Sequence, residues 1–290
     1  DQGWVGELLP TGELRIISQG GMIGPQGLGF LEGIGNEDKL FVADQYEIRQ
    51  LDRNSGEEEN SYRASILPGV PEVGVASLNT AMSLTSDGDN LIIASWFSST
   101  VQVWNPQEGV TESYDMSTEA ALGAPIDAVR LNDEIMVSDV GLGGVVRASD
   151  KSLILPIDNA TVFAPSGLAT DGETLWVADW GTGIVWQIDF DGDTPTAPMP
   201  IAQDLLFPEG LAFDNDGGLL VVETGAGRLS RIELATGEVT EIAGGLEFFG
   251  KPGIEEAPPT WGFEGVTVAP SGDIYVSGQG KNIIYRISKN

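Results

Sequence analysis

A short apolar run ending in an acidic or hydroxyl residue recurs along this chain with the same neighbours each time, and that recurrence restricts the fold more than any single motif. Leu175-Trp176-Val177-Ala178-Asp179 is preceded by Pro165-Ser166-Gly167-Leu168-Ala169 and an Asp171-Gly172 pair, and is followed by Gly181-Thr182-Gly183 and Ile184 to Ile188. The next copy follows at once: Pro208-Glu209-Gly210-Leu211-Ala212, Asp216-Gly217, Leu219 to Glu223, Gly225 to Gly227 and Leu229 to Ile232. The frame fits four more times, around Leu40 to Asp44, Leu91 to Ser95, Ile135 to Asp139 and Ile274 to Ser277. The closing residues Asp44, Ser95, Asp139, Asp179, Glu223 and Ser277 lie 51, 44, 40, 44 and 54 positions apart. Periods of roughly 40 to 50 residues are those of propeller blades.

Each unit reads as four short strands: an inner Gly-Leu-Ala strand, a second ending at the marker residue, a third of the form x-Val-x-x-Ile, and an outer one such as Glu238 to Ile242. Asp-Gly and Thr-Gly pairs between them supply the positive backbone angles that tight hairpins require. The sequence therefore predicts an all-β, six-bladed β-propeller of four-stranded blades, one domain over residues 1–290. The sixth copy stops after its third strand, Ile283 to Ile287, while Glu13 to Ser18 precedes the first inner strand. That N-terminal strand is expected to complete the C-terminal blade, closing the ring and hiding two sheet edges.

Composition limits the chemistry. With 44 acidic and 14 basic side chains the formal charge is -30, so nucleic acid and anionic membranes are excluded as partners. The chain has no cysteine and no histidine, which removes disulfides, thiolate chemistry, Ser-His-Asp triads and imidazole metal sites. Carboxylates, hydroxyls, Lys, Tyr or a bound hard cation remain. The longest apolar runs, such as Leu219 to Val222, are far too short to span a bilayer. A first residue Asp1 in place of Met, with a strongly acidic composition, sets the expectation of a secreted or periplasmic protein whose signal peptide has been removed.

In a propeller the inner strands start at one face of the channel, and the loops after the second strands return to that face. The position before the inner-strand glycine is read as Glu32, Met82, Ile126, Ser166, Glu209 and Glu264 around the six copies. Glu209, Glu264 and Glu32 then belong to consecutive blades, and three carboxylates near one axis repel unless a cation, protonation or donors relieve them. An all-oxygen site favours Ca²⁺, with Mg²⁺ second, and no organic cofactor is indicated. Three readings stand: a metal site at Glu32, Glu209 and Glu264; catalytic Glu264 and Glu209 acting without metal; or solvated Glu-Gly turns.

The units resemble NHL-type repeats, and the whole chain resembles the superfamily of six-bladed propellers that includes gluconolactonase (senescence marker protein) and strictosidine synthase. The gluconolactonase resemblance implies a divalent metal held by one Glu, two Asn and an Asp that is also the general base. Glu32 matches the Glu by its Glu-Gly context and Glu209 stands where the Asp is expected, but Met82, Ile126 and Ser166 do not match the asparagines, although Asp127 lies one residue on. The strictosidine synthase resemblance places its catalytic glutamate at Glu264, in Phe263-Glu264-Gly265-Val266. Paraoxonase-like and streptogramin-lyase-like mechanisms depend on histidine, so they do not carry over.

Ligand contacts at the same face are expected from Trp96 and Trp180, which follow two marker positions, from the rim acids Asp139 and Asp179, and from Ser166. For the rim acids Asp44, Asp139, Asp179 and Glu223 the competing reading is acceptance of backbone N–H bonds in the adjoining turn. The long connectors 62–80, 106–124 and 245–262, the last with Phe248, Phe249 and Pro258-Pro259, are expected to cover the channel face. The runs Asp189 to Asp193 and Asp214 to Gly217 look like calcium loops but lack the EF-hand spacing and read as hairpin turns. Asn159-Ala160-Thr161 is a glycosylation sequon. The function expected is binding of a small molecule, glycan or protein at the channel face; the alternative is a Ca-dependent lactonase or esterase.

Overall fold

The computed structural model describes residues 4–9, 14–19, 21–32, 35, 39–65, 78–115, 121–158, 160–248 and 263–288. Its strands form six antiparallel blades in a ring. Blade 1 is Pro25–Gly29, Lys39–Asp44, Glu47–Asp52 and Glu58–Arg63; blade 2 is Ser83–Asp87, Asn90–Ser95, Thr100–Asn105 and Gly109–Tyr114. Blade 3 is Pro125–Leu131, Glu134–Asp139, Gly144–Arg147 and Leu153–Pro156; blade 4 is Pro165–Thr170, Leu175–Asp179, Ile184–Ile188 and Met199–Ala202. Blade 5 is Pro208–Phe213, Leu219–Glu223, Arg228–Glu233 and Glu238–Gly244; blade 6 begins Val266–Val268, Ile274–Gly278 and Ile283–Ile287.

The second strands are buried along almost their whole length because each blade is covered on both faces by its neighbours. That is why they read as unbroken apolar runs. Apolar side chains gather into one cluster at each blade interface. Val129, Leu131 and Met136 meet Leu168, Val177 and Trp186 between blades 3 and 4, and Leu28, Leu40 and Val42 meet Tyr275 and Ile284 between blades 6 and 1. Equivalent clusters fill the other four interfaces.

An N-terminal strand does join the last blade, but with an inserted partner. Trp4–Leu8 lies parallel to Ile283–Ile287, and Leu14–Gln19 pairs antiparallel with Trp4–Leu8 as a fifth strand. Leu14–Gln19 keeps the direction of an ordinary outer strand and delivers the chain to Pro25. It stands one place further out than expected because the Trp4–Leu8 hairpin arm occupies the slot first. Glu7 fastens the insert, accepting bonds from Arg15 and, at 2.9 Å, from the Ser288 hydroxyl.

Both suspected calcium loops are turns. Asp189 to Asp193 forms part of a small hairpin, Phe190–Asp191 with Thr194–Pro195, and Asp214 caps its own turn by accepting the Asp216 and Gly218 N–H groups. Phe249, Pro258-Pro259, Asn159 and much of the three long connectors lie outside the described residues.

Around the axis the inner strands approach so closely that four blades have glycine facing the next strand. A Cβ on Gly27 would lie 2.0 Å from the Leu84 nitrogen, and one on Gly167 2.1 Å from the Glu209 carbonyl oxygen; Gly210 and Gly265 face Glu264 and Gln26 in the same way. The approach allows main-chain bonds between blades, from Gly27 N to Met82 O at 3.1 Å and from Gly210 N to Glu264 O at 3.0 Å. Gly167→Ala is therefore expected to destabilise the protein by about 2–3 kcal/mol. Gly21→Ala, whose Cβ would meet nothing within 4 Å, should change stability by less than about 0.5 kcal/mol. Equilibrium unfolding in denaturant compares the two.

Candidate functional site

The register of the hairpins settles which residues share the ring at the channel. Pro25 pairs with Asp44, Pro125 with Asp139, Pro165 with Asp179 and Pro208 with Glu223, so the residue after each proline holds one structural position. In blade 1 that residue is Gln26, not Glu32. Glu32 lies beyond the opposite end of Pro25–Gly29, is exposed, and donates its backbone N–H to Gly88 O at 2.8 Å. The signal was present in the sequence, because Pro25-Gln26-Gly27-Leu28 repeats the Pro-x-Gly-Leu pattern of blades 4 and 5. The ring therefore reads Gln26, Met82, Ile126, Ser166, Glu209 and Glu264, with two adjacent carboxylates in place of three.

Those two are buried, 1% exposed for Glu209 and 3% for Glu264, and both are engaged by donors. Glu209 accepts the Thr224 hydroxyl at 2.8 Å and the backbone N–H of Glu264 at 2.7 Å, tying blade 5 to blade 6. Glu264 accepts the Ser277 hydroxyl at 3.0 Å and the Gln279 N–H at 2.9 Å. Blade 6 has Ser277 where four other blades have a marker carboxylate, and Glu264 reaches across to hold the loop that such a carboxylate would hold. Among the described residues no group of three Asp or Glu side chains is placed to bind a metal ion. Glu32 does not join Glu209 and Glu264 at the channel ring, so these residues do not fit the three-glutamate calcium site expected from the ring position.

The rim acids hold their own loops. Asp139 accepts N–H bonds from Gly123, Ala124 and Leu142 at 2.7–3.0 Å, and Asp179 accepts them from Phe163, Ala164, Gly181 and Thr182 at 2.8–3.3 Å. Both are fully buried. Asp44 and Glu223 do the same and add an arginine each, Arg49 at 2.6 Å and Arg228 at 2.7 Å. Burial works against the charged form of Glu223, but the bonds from Arg228 and Ser230 outweigh it and hold the carboxyl below its ordinary range. Ser166 donates to Pro208 O at 2.9 Å and so links blades 4 and 5. Trp180 is buried, stacked on Phe207 with ring centroids 4.5 Å apart, and does not line the channel. Trp96 does line it, half-buried and edge-on to Phe97.

The channel encloses a cavity of 300 Å³ walled by all six inner strands, with Gln26, Ser83, Asp127, Glu209, Phe263 and Glu264 among its lining residues. Asp127 is the residue that the ring position alone does not reveal. It occupies the glycine slot of blade 3, and Ser83 occupies that of blade 2, so side chains replace the close backbone contact there. The Asp127 carboxylate accepts the Ser83 hydroxyl, Thr85 Oγ1 at 3.3 Å, its neighbour Ala128 N at 3.0 Å and, from blade 4, Leu168 N at 2.8 Å. Burial raises its pKa to about 6, against the lowering effect of these donors. A carboxyl that binds protons more tightly folded than unfolded contributes stability that is full at low pH and is lost as pH rises through about 6.

No protein-family model matches the chain, and no curated protein matches its sequence. Solved structures do resemble it. A gluconolactonase from Xanthomonas campestris aligns with a TM-score of 0.60 at 14% identity, covering 89% of this chain and 84% of that one. Virginiamycin B lyase from Staphylococcus aureus aligns with a TM-score of 0.55 at 17% identity over 92% of this chain and 82% of that one, and a streptogramin B lyase with 0.57 at 18% over 92% and 80%. The chain shares their six-bladed propeller fold. At these identities the likeness is one of fold alone. A histidine-to-alanine variant of the staphylococcal lyase is described as catalytically inactive, and this chain has no histidine.

The Asp127 titration generates a signed expectation. Between pH 4 and 7 the wild type should lose up to about 3 kcal/mol of stability more than Asp127→Asn does, because only the carboxyl must ionise in the channel. Denaturant unfolding of both proteins across that range measures the difference; parallel curves would show that Asp127 titrates normally.

Proposed function

We propose that this propeller is a binding protein that takes a small polar molecule into its central channel without chemical turnover. The observation that carries the reading is the 300 Å³ cavity walled by all six inner strands, with half-buried Trp96 beside it. A pocket of this size, with an aromatic face and a few directed polar groups, is the usual form of a small-ligand site. Glu209 and Glu264, the carboxylates nearest to a catalytic role, are instead engaged in holding backbone and hydroxyl donors. The all-carboxylate calcium site expected from the ring position would need three carboxylates converging on one ion, and the described residues supply no such group.

Thermal unfolding against a panel of small sugars, polyols, lactones and amines tests the reading. A ligand at a hundred times its Kd should stabilise the fold by about 2.7 kcal/mol, and Trp96→Ala should weaken its binding about tenfold. Dialysis against EDTA should leave the melting temperature unchanged. Turnover of a lactone, or a melting temperature restored by micromolar Ca²⁺ after EDTA, would replace this reading with the calcium-dependent hydrolase.

A further inference from the structure

Four of the six inner strands put glycine in the slot facing the next blade, and a fifth puts Ser83 there. Blade 3 alone puts a charge in it. Asp127 sits between the inner strands of blades 2 and 4 with its remaining surface toward the cavity. Among the described residues it makes no ion pair. Its Oδ1 accepts from Ser83, Thr85 and Ala128, while Oδ2 accepts a single bond, from Leu168 N.

The described surroundings offer no countercharge either. On its own strand Arg130 is held by Asp87 at 2.9 Å and Glu112 at 3.0 Å. Ser83–Asp87 contributes Asp87, and Glu134–Asp139 contributes Glu134 and Asp139. Asn90–Ser95, Thr100–Asn105 and Pro165–Thr170 carry no charged residue, and Glu209 and Glu264 line the same cavity. Four of the other buried carboxylates differ. Asp44 and Glu223 have arginines, and Asp139 and Asp179 have three or four N–H donors each and serve loops.

Building on the channel-binding reading above, we propose that Asp127 is the specificity residue of that site and that it selects a small organic cation, such as a protonated amine. An ammonium group needs one carboxylate and one or two further acceptors, and Oδ2 of Asp127 with the hydroxyl oxygens of Ser83 and Thr85 supplies them. A hard metal ion needs six or more oxygens, roughly speaking, and has no such set here. Trp96 and Phe263 line the same cavity and bring aromatic side chains, to which a cation can be drawn, to its wall. The formal charge of -30 raises the local concentration of cations around the whole molecule. Protonating Asp127 removes the charge with which the ammonium group would pair. Because that carboxyl titrates near pH 6, this pairing is lost across the mildly acidic range.

Isothermal titration with benzylamine and benzyl alcohol, nearly isosteric probes that differ in charge, separates the claims. Benzylamine, which stays protonated throughout, should bind at pH 7.5 and lose about tenfold in affinity at pH 5, the loss set by the fraction of Asp127 still ionised. Asp127→Asn should lose at least tenfold at pH 7.5 and should no longer respond to pH, while benzyl alcohol should respond to neither change. The pH series on the wild type needs no variant and decides the matter even if Asp127→Asn folds poorly. Benzylamine affinity independent of pH overturns the proposal. If both probes bind equally, and Trp96→Ala weakens both, the assignment of Asp127 fails and the channel site stands. If neither probe binds the wild type and no member of the wider panel does, both fail.

Discussion

Close approach of six inner strands around one axis is the constraint on which the rest of this molecule depends. The blades cannot converge unless the residues facing the next strand are small, and Gly27, Gly167, Gly210 and Gly265 meet that demand with neighbouring backbone where a Cβ would be. Once the strands are that near, carbonyls and N–H groups of adjacent blades bond directly, and the apolar clusters at the six interfaces lock at fixed spacing. The same constraint shapes the channel. Where a side chain takes the slot, its polar atoms line the cavity, as at Ser83 and Asp127.

An acidic chain with so few cations uses several of its buried carboxylates as anchors for backbone. Asp44, Asp139, Asp179 and Glu223 sit at the ends of second strands and gather the N–H groups of the loop that leads into their own inner strand. Each such carboxylate fixes the height at which its inner strand enters the channel. Blade 6 differs: with Ser277 at the marker, Glu264 supplies an acceptor for Gln279 N in the loop after the second strand. Anchoring is favourable for a buried acid because several short charge-assisted bonds replace its hydration.

The repeat was legible because it rests on local physics. Second strands covered on both faces must be apolar throughout, and hairpins need residues that accept positive φ, so the period is written in every copy. What the sequence hid were matters of register and partner. Glu32-Gly33 imitates the Glu-Gly of blades 5 and 6, and only the pairing of Pro25 with Asp44 shows that Gln26 holds the ring position. Trp4–Leu8 is short, contains Gly6, and pairs parallel with the far end of the chain, so no periodicity announces it; Thr11-Gly12 was the available turn signal. The fates of Asp139, Asp179 and Ser166 depend on which backbone groups come within reach, and composition carries no trace of that.

Asp127 shows how a departure from the repeat can be more informative than the repeat. Aligned with Pro165-Ser166-Gly167-Leu168, the segment Pro125-Ile126-Asp127-Ala128 exchanges the residue that convergence demands for one that burial penalises. A carboxyl there could be tolerated as a simple brace between blades 2 and 4, since Ser83 and Leu168 both bond to it. A brace, however, is equally served by a neutral acceptor, and glycine serves convergence in four of the other five slots without any desolvation cost. What glycine or a neutral brace does not provide is a negative charge facing the channel cavity with no cation beside it among the described residues. That charge is the property separating this channel from a merely packed axis, and it is why the asymmetry at blade 3, rather than the pair of glutamates at blades 5 and 6, carries the functional reading.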